Sequence, residues 1–367
     1  MSNGFRFLGI DLEDKKFWRS YEEIKKLFNY ILLKTHGDAD EAFKWLENLQ
    51  VKGYVDPSVD LNKFKEELEK EGMIKSSEES GQLSLSDKGA KEMRKSSLKW
   101  IFQNMKPKGR EGAHVTHSQG GAVEDLPELK PWTFGDEINR VDFNQSLLNQ
   151  VRRSGSLDSS LEEEDLVVHE SKRNTGCATV LLLDVSHSMI LYGEDRFTPA
   201  KQVALALTEL ILTQYKGDSL DIVLFGNEAK TVPIRELPFV SVGPFHTNTK
   251  AGLATARRIL EQRPHGNKQI LMVTDGKPTV IDVPGEGIYR NTFGLDDRII
   301  NRTLDEAVIC RRRGIGITTF MVTRDAWLEE FVNRLTELNH GRAYFSRPDQ
   351  VGGFVMKDFV QNRKRNA

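Results

Sequence analysis

The sequence predicts an α/β fold in which a doubly wound, mostly parallel sheet carries helices on both faces. Two observations support this prediction. From about residue 163 to the C-terminus, short apolar runs alternate with helical patterns, and fully apolar strands are typical of a parallel sheet covered on both sides. The two strongest apolar runs are each closed by an aspartate, and such sheets bind ligands beyond the carboxyl ends of their strands.

The 367-residue chain divides by pattern into three segments. Residues 1–105 carry helical patterns and a short hairpin, which is compatible with a helical, winged-helix-like unit. Residues 106–162 are rich in Gly, Ser and charge runs, and we expect a linker with a helix near 136–151. Residues 163–367 form the predicted α/β domain.

Individual elements follow from apolar periodicity and from turn residues. In the N-terminal region we predict helices at 21–34, 39–49, 61–71 and 90–105, with a hairpin around 72–74 and 83–85. In the α/β domain the predicted strands are 166–168, 177–184, 221–225, 231–234, 269–274, 317–322 and 343–345. The predicted helices there are 199–215, 249–260, 304–312, 327–338 and one from about 350 to the tail.

Three local features of the α/β domain carry further expectations. The turn at 172–176 predicts that strand 166–168 returns antiparallel onto strand 177–184. Thr198 and Pro199 form an N-cap and first-turn pair for the next helix. Residues 277–302 form a long loop beside the carboxyl edge, and we expect it to help select a binding partner.

Composition argues against several classes of function. The 52 basic and 54 acidic residues nearly balance, so a general attraction to nucleic acid or to anionic membranes is not indicated. The N-terminus lacks a signal pattern, and no apolar run approaches the roughly 20 residues that span a bilayer. Cys177 and Cys310 each lie inside an apolar predicted element, which predicts buried, reduced thiols in a cytoplasmic protein.

One carboxylate and two hydroxyls follow the first strongly apolar strand. Asp184 closes this strand, and Ser186 and Ser188 follow at alternate positions, where the chain turns toward a helix. Oxygen ligands with this spacing can converge on a small hard cation, and Mg²⁺ takes about six oxygens. Asp275 directly follows the second strongly apolar strand, so we expect it at the same edge of the sheet.

This order of residues resembles the metal-ion-dependent adhesion site of von Willebrand factor type A (VWA) domains, which have a Rossmann-like fold. The family pattern begins with Asp-x-Ser-x-Ser after the first strand and continues with a Thr in a later loop and an Asp after a later strand. Of the two threonines at 247 and 249, Thr247 matches the family position, and we expect Thr249 to cap the following helix. The resemblance covers about residues 160–367 and implies a metal site at five positions: Asp184, Ser186, Ser188, Thr247 and Asp275.

The resemblance implies a function in protein binding. In the family, the two serines and Thr247 would contact the metal directly, and the two aspartates directly or through water. Hydroxyl ligands carry no formal charge, so an acidic residue of a protein partner can complete the shell of the ion. We therefore expect a Mg²⁺-dependent adaptor, with Mn²⁺ or Ca²⁺ as alternative ions. Bacterial proteins of this type resemble partners of AAA+ ATPases of the MoxR or magnesium-chelatase kind, so such an ATPase is an implied partner.

Two other classes of function stay open on the sequence. A nucleic-acid-binding regulator would use a basic stripe on the helix near residue 95, although Glu92 interrupts the stripe and such stripes are usually solvated faces. A metal-dependent hydrolase would use the metal site. Its motifs are missing, since a haloacid-dehalogenase-type phosphatase needs an Asp where Ser186 stands and Ser188 lacks the flanking glycines of a hydrolase elbow. We expect no enzymatic activity.

Overall fold

The computed structural model describes residues 18–77, 82–104, 123–132, 141–155, 161–173, 176–193, 195–275, 277–283, 285–291, 296–323, 326–345 and 351–365. A six-stranded sheet with helices on both faces forms the C-terminal part, and a mainly helical N-terminal region packs over one of these faces. The predicted α/β fold and the predicted helical N-terminal region are confirmed. Within the described ranges, no helix is long and apolar enough to cross a membrane.

Four helices and a hairpin form the N-terminal region that the structure describes. Ser20 begins the first helix with a capping box, in which its hydroxyl accepts from the Glu23 amide. The hairpin is antiparallel, with Ile74 opposite Leu85. The elements are α1 (Tyr21–Lys34), α2 (Ala39–Val51), α3 (Leu61–Lys70), β1 (Ile74–Ser76), β2 (Leu83–Leu85) and α4 (Asp87–Asn104).

The middle of the chain contains a strand that the sequence did not predict. The described elements of this part of the chain are β3 (Val123–Pro131), α5 (Phe143–Ser154) and β4 (Val167–Arg173), and the strand that was not predicted is β3. β3 and β4 pair antiparallel, with a register shift between Asp125 and Leu129. Pro127 lies at this shift, and because proline lacks an amide donor it removes the regular pattern by which a strand is recognised.

The C-terminal elements are β5 (Cys177–Asp184), α6 (Phe197–Gln214), β6 (Ser219–Phe225), β7 (Ala229–Val232), α7 (Thr249–Glu261), β8 (Asn267–Thr274), β9 (Val280–Val283), β10 (Gly287–Arg290), α8 (Asp297–Arg312), β11 (Ile315–Met321), α9 (Ala326–Asn339), β12 (Arg342–Phe345) and α10 (Val351–Arg365). The six strands of the main sheet lie in the order β12-β11-β8-β5-β6-β7. All neighbours pair in parallel except β6 and β7, which pair antiparallel at one edge. The prediction that strand 166–168 returns onto strand 177–184 is wrong, because β5 pairs with β6 and β8 and has no free edge.

Two local expectations in this domain need correction. Helix α6 begins at Phe197 rather than at Pro199, and the side chain of Asp195 accepts a hydrogen bond from the Thr198 amide at 2.9 Å. Part of the segment 277–302 is the antiparallel hairpin β9–β10 rather than a loop, and α8 begins at Asp297. The hairpin forms because its apolar side chains pack on Ile299 of α8, a tertiary contact that local turn residues do not reveal.

Alternate side chains of each central strand support the two faces of the sheet. Leu181 and Leu183 of β5 face a core that includes α6, α10 and the N-terminal helices. Val180 and Leu182 face a second core formed with α7, α8 and α9. This arrangement explains why β5 is apolar along its length, since both of its faces are buried. Cys177 and Cys310 are both buried, as the sequence predicted.

Helix α6 is buried on nearly every side because it lies between the sheet and the N-terminal region. Its side chains pack against α4 as well as against the sheet, so both parts of the chain share one hydrophobic core. Polar contacts join them too. Arg94 Nε of α4 lies 3.2 Å from Glu209 Oε2 of α6, and Lys34 of α1 pairs with Asp195. Lys201 is fully buried in α6 and donates to the Val240 carbonyl at 3.0 Å, and burial lowers its pKa to about 7.

Replacing Leu207 of α6 by alanine tests this shared core. Leu207 is fully buried, so Leu207→Ala removes apolar contacts and leaves a cavity that should lower the free energy of unfolding by about 2–5 kcal/mol. Leu212 lies on the same helix with 48% of its surface exposed, and Leu212→Ala should cost about 0.5 kcal/mol or less. Urea unfolding of both variants measures the difference, and equal losses would contradict the burial of α6.

Candidate metal centre at the carboxyl edge of the sheet

The carboxylate of Asp184 is fully buried at the end of β5 and is held on both of its oxygens. Oδ1 accepts a hydrogen bond from the Ser186 amide at 2.9 Å, which closes the turn after the strand. Oδ2 accepts from the hydroxyl of Thr274 at 2.6 Å. Because β5 and β8 pair in register, Asp184 and Thr274 meet as neighbours at the end of the two strands.

Three further candidate ligands continue this hydrogen-bond chain. Ser186 Oγ and Ser188 Oγ lie 3.0 Å apart. The hydroxyl of Ser188 donates to Asp275 Oδ1 at 2.7 Å, although 87 positions separate the two residues. Asp184, Ser186, Ser188 and Asp275 are therefore brought together at the carboxyl edge, where the sequence placed them.

The loop that carries Thr247 is fixed beside the turn that follows Asp184. The amide of His187 donates to the Phe245 carbonyl at 3.0 Å, which joins the two loops directly. The Phe245 ring lies over Gly243, where a Cβ atom would come within 2.1 Å of its Cε2. Glycine at this position therefore lets the aromatic ring pack on the backbone and keep the loop in place.

Thr247 is 3% exposed and is anchored through its backbone. Its amide donates to Thr279 Oγ1 at 3.0 Å, and its carbonyl accepts from the Thr279 amide at 2.9 Å. The expected capping role of Thr249 is wrong, because the side chain of Asn248 accepts from the Ala251 amide and caps α7. The Thr249 hydroxyl is buried and has no hydrogen-bond partner among the residues that the structure describes.

Burial disfavours the ionised forms of both carboxylates, and the donors around them offset only part of this effect. Burial, followed by the repulsion from Asp275, raises the pKa of Asp184 to about 7. Burial also raises the pKa of Asp275, and the Ser188 hydroxyl and the Arg196 guanidinium partly offset this rise. A divalent cation beside both groups would favour their ionised forms, because an opposite charge stabilises a carboxylate.

Arg196 is a residue of this site that the sequence did not single out. Its Nη1 atom lies 2.8 Å from Asp275 Oδ2, and the two side chains are 12% and 0% exposed. Arg196 is the N-cap residue of α6, so the helix places it at the same edge as the metal candidates. No sequence pattern marks it, because it is separated from Asp275 by 79 positions and belongs to no motif.

The donor set fits a hard cation. Every candidate side chain offers oxygen, and three of the five are neutral hydroxyls, which suits Mg²⁺ better than a thiol- or imidazole-binding metal. Among the described residues, no group of three or more His, Cys, Asp or Glu side chains gathers as a metal site. Two buried carboxylates close to each other supply the negative charge that such an ion needs. Ligation by the five predicted residues stays a prediction.

The mostly parallel sheet with helices on both faces belongs to the von Willebrand factor type A class of fold. Residues 177–360 match the family model of the vWA domain of Rv0959-like proteins, and residues 124–171 match the model of their third domain. The chain belongs to this Rv0959-like family. Domains of the vWA type serve protein interaction or adhesion, so family membership supports a role of that kind.

Curated relatives and solved structures share parts of this architecture. The chain is 30% identical over 293 residues to the uncharacterized proteins Rv0959 of Mycobacterium tuberculosis and Mb0984 of Mycobacterium bovis. The match covers 78% of this chain and 43% of each relative, so the chain spans less than half of their length. The vWF domain of the pili tip protein Mfa5 from Porphyromonas gingivalis is 15% identical, with a TM-score of 0.40 over 53% of this chain and 97% of that chain. The SpRpn10 VWA domain is 13% identical, with a TM-score of 0.38 over 50% of this chain and 95% of that chain.

Replacing Thr274 by valine tests the hydrogen bond that holds Asp184. Thr274→Val leaves a buried oxygen of Asp184 without its donor. Because hydrogen bonds to charged groups contribute about 1.5–3 kcal/mol, the free energy of unfolding should fall by that amount. Thr208→Val is the matched control, since the buried Thr208 hydroxyl donates only to a carbonyl of its own helix. Urea unfolding in a chelator should show a clearly larger loss for Thr274→Val, and equal losses would contradict the role of this bond.

Proposed function

We propose that this protein binds a partner protein through a divalent cation, Mg²⁺ in the first place, held at the carboxyl edge of the sheet. The observation that supports it best is the hydrogen-bond chain from Asp184 through Ser186 and Ser188 to Asp275. Oxygen atoms from two strand ends meet there in a vWA domain, the class of domain that serves protein interaction. Thr247, on the adjacent loop, is the fifth proposed ligand.

The chain's own residues would prepare this site for an acidic ligand. The Ser186 amide and the Thr274 hydroxyl orient Asp184, so its carboxylate does not have to be ordered when a cation binds. The serine hydroxyls add oxygens without adding charge. A bound divalent ion would supply a Lewis-acidic position that accepts a carboxylate of the partner. Binding, rather than turnover of a substrate, is the proposed activity, and we propose no enzymatic role.

The partner and the location of the protein are proposals as well. The resemblance to adaptor-type VWA proteins makes an AAA+ ATPase of the MoxR or magnesium-chelatase kind the partner class that we propose to test first. We propose that the protein acts in the cytoplasm, where buried thiols such as Cys177 and Cys310 stay reduced. Pull-down from the cytoplasmic fraction, with immunoblotting for the ATPase, tests both proposals. Recovery of partners only from an extracytoplasmic fraction would contradict them.

Removing two of the proposed ligand hydroxyls tests the metal-bridged mechanism. Ser186→Ala with Ser188→Ala should abolish partner capture in Mg²⁺ and lower Mg²⁺ affinity at least about tenfold, since two oxygen ligands of a six-oxygen shell are lost. The measurements are a pull-down in Mg²⁺ and in EDTA, together with calorimetric titration of Mg²⁺.

The control is a second serine pair of the same burial. Ser97 is buried like Ser186, and Ser96 is half-buried like Ser188. The control pair lies on α4, away from the proposed metal centre. Ser96→Ala with Ser97→Ala should keep metal-dependent capture. Capture by the Ser186/Ser188 variant that is equal in Mg²⁺ and in EDTA would exclude the proposed mechanism.

The hairpin β9–β10 is the element that we propose to select the partner. The backbone of Thr247 bonds Thr279 directly before β9, so the hairpin lies against the loop of the proposed metal centre. Ile288 on β10 is 55% exposed, while Ile281 on β9 is buried against α8. An exposed apolar side chain at this place gives a partner a contact beside the cation.

Replacing Ile288 by serine tests the hairpin without disturbing its core. Ile288→Ser should weaken partner capture about fivefold or more, because apolar area is lost from the contact, and should leave Mg²⁺ affinity unchanged. Leu338→Ser on α9, at 37% exposure, is the control for an apolar side chain elsewhere on the surface. Titration of the captured partner against both variants measures the effect, and unchanged capture by Ile288→Ser would remove the hairpin from the proposal.

A further inference from the structure

Arg196 forms a buried ion pair with one of the two carboxylates of the candidate metal centre. Its Nη1 atom donates to Asp275 Oδ2 at 2.8 Å, while the other oxygen of Asp275 accepts from Ser188 at 2.7 Å. The guanidinium and the hydroxyl therefore use different oxygens of the same group. Arg196 can stay paired with Asp275 while the serine side of that carboxylate faces the centre.

The backbone holds Arg196 firmly at this place. Its amide donates to the Met189 carbonyl at 3.0 Å, and its own carbonyl accepts from Ala200 in the first turn of α6. The preceding residue, Asp195, is fixed by Lys34 and by the amide of Thr198. The anchored backbone and the ion pair with Asp275 together place the guanidinium beside the centre.

We propose that Arg196 is a built-in counter-charge that weakens metal binding and keeps the metal-loaded centre attractive to carboxylates. This inference rests on the proposed function. The centre holds two carboxylates, Asp184 and Asp275, and one guanidinium, so its net charge is minus one when both acids are ionised. A divalent cation brings this charge to plus one.

Without Arg196 the same centre would carry minus two before and zero after a divalent cation binds. The cation would then bind more tightly, because it meets more negative charge and no nearby guanidinium. A carboxylate would bind the loaded centre less well, because no net positive charge remains. Both effects are large in a buried site, where the low effective dielectric strengthens interactions between charges. Arg196 thus lowers the affinity of the centre for the metal and raises the affinity of the metal-loaded centre for a carboxylate.

The ligand class that fits a loaded centre of this kind is a monocarboxylate, such as a partner's Asp or Glu side chain. Acetate is the smallest probe of that chemistry, and Mn²⁺ is a spectroscopically visible substitute for Mg²⁺ with the same preference for oxygen ligands. Titrating first Mn²⁺ and then acetate separates the two effects that the counter-charge predicts.

The experiment compares the full chain with two substitutions at Arg196. Arg196→Gln removes the charge, and we expect it to bind Mn²⁺ about tenfold more tightly, which corresponds to about 1.4 kcal/mol. Arg196→Lys keeps the charge and should bind Mn²⁺ as the unchanged protein does. Arg94→Gln is the matched control, because Arg94 is also 12% exposed and also paired with an acidic residue, but on α4. Calorimetry or Mn²⁺ paramagnetic resonance measures the affinities.

The affinity of the Mn²⁺-loaded proteins for acetate gives the second readout. This affinity should fall about tenfold for Arg196→Gln alone, because the loaded centre then carries no net positive charge. A merely structural role for Arg196 would instead lower Mn²⁺ affinity in Arg196→Gln or change both substitutions alike, and either result would overturn the inference. Arg196→Gln should also gain more thermal stability from saturating Mn²⁺ than the unchanged protein, because tighter binding stabilises the folded state more.

The Mn²⁺ titrations also distinguish a failure of the proposed function from a failure of the counter-charge. If neither the unchanged protein nor Arg196→Gln binds Mn²⁺, the centre is not a metal site and both proposals fall. If only Arg196→Gln binds Mn²⁺, the counter-charge is supported in its strongest form. If both bind Mn²⁺ with equal affinity, the metal centre stands and the counter-charge is wrong.

Discussion

The convergence of two buried carboxylates at the ends of β5 and β8 is the constraint on which the rest of this structure depends. Parallel pairing in register brings Asp184 beside Thr274, and Asp275 follows one residue later. Each carboxylate is almost completely removed from water, so each has to be satisfied by donors or by a positive charge. The Ser186 amide, the two hydroxyls of Ser188 and Thr274, and the Arg196 guanidinium meet this need.

The same constraint explains the architecture around the centre. A parallel sheet presents its carboxyl edge as a crevice only when helices cover both of its faces. Helices α7, α8 and α9 cover one face, while α6 and α10 cover the other together with the N-terminal region. The N-terminal helices are therefore part of the core that holds the strands in register. Without them one side of α6 would lose its apolar partners.

The sequence predicted the central strands and helices well because their signals are local. Helix α1 begins and ends where its capping serine and its apolar period place it, and β5 follows from an unbroken apolar run. Four of the five candidate metal ligands lie together as expected, since strand ends in a parallel sheet share one edge. For Thr247 the sequence indicated only a loop position, and in the structure this loop is joined to the turn after Asp184 by the hydrogen bond from the His187 amide to the Phe245 carbonyl.

The missed features depend on contacts between distant segments. Strand β3 contains Pro127, so its pairing with β4 has no regular local pattern. The hairpin β9–β10 forms because it packs on α8, while its turn residues alone indicate a loop. No sequence signal marks Arg196, because an arginine before a helix is an ordinary residue until the fold brings Asp275 against it.

Two adjacent residues at the start of α6 pair with different parts of the molecule. Asp195 pairs with Lys34 of the N-terminal region, and Arg196 pairs with Asp275 at the candidate metal centre. Both belong to the short connection that begins α6, so the first turn of this helix contacts the N-terminal region on one side and the centre on the other. The start of α6 therefore adds two ion pairs, one to the N-terminal region and one to the carboxyl edge, to the hydrophobic core that both parts of the chain share.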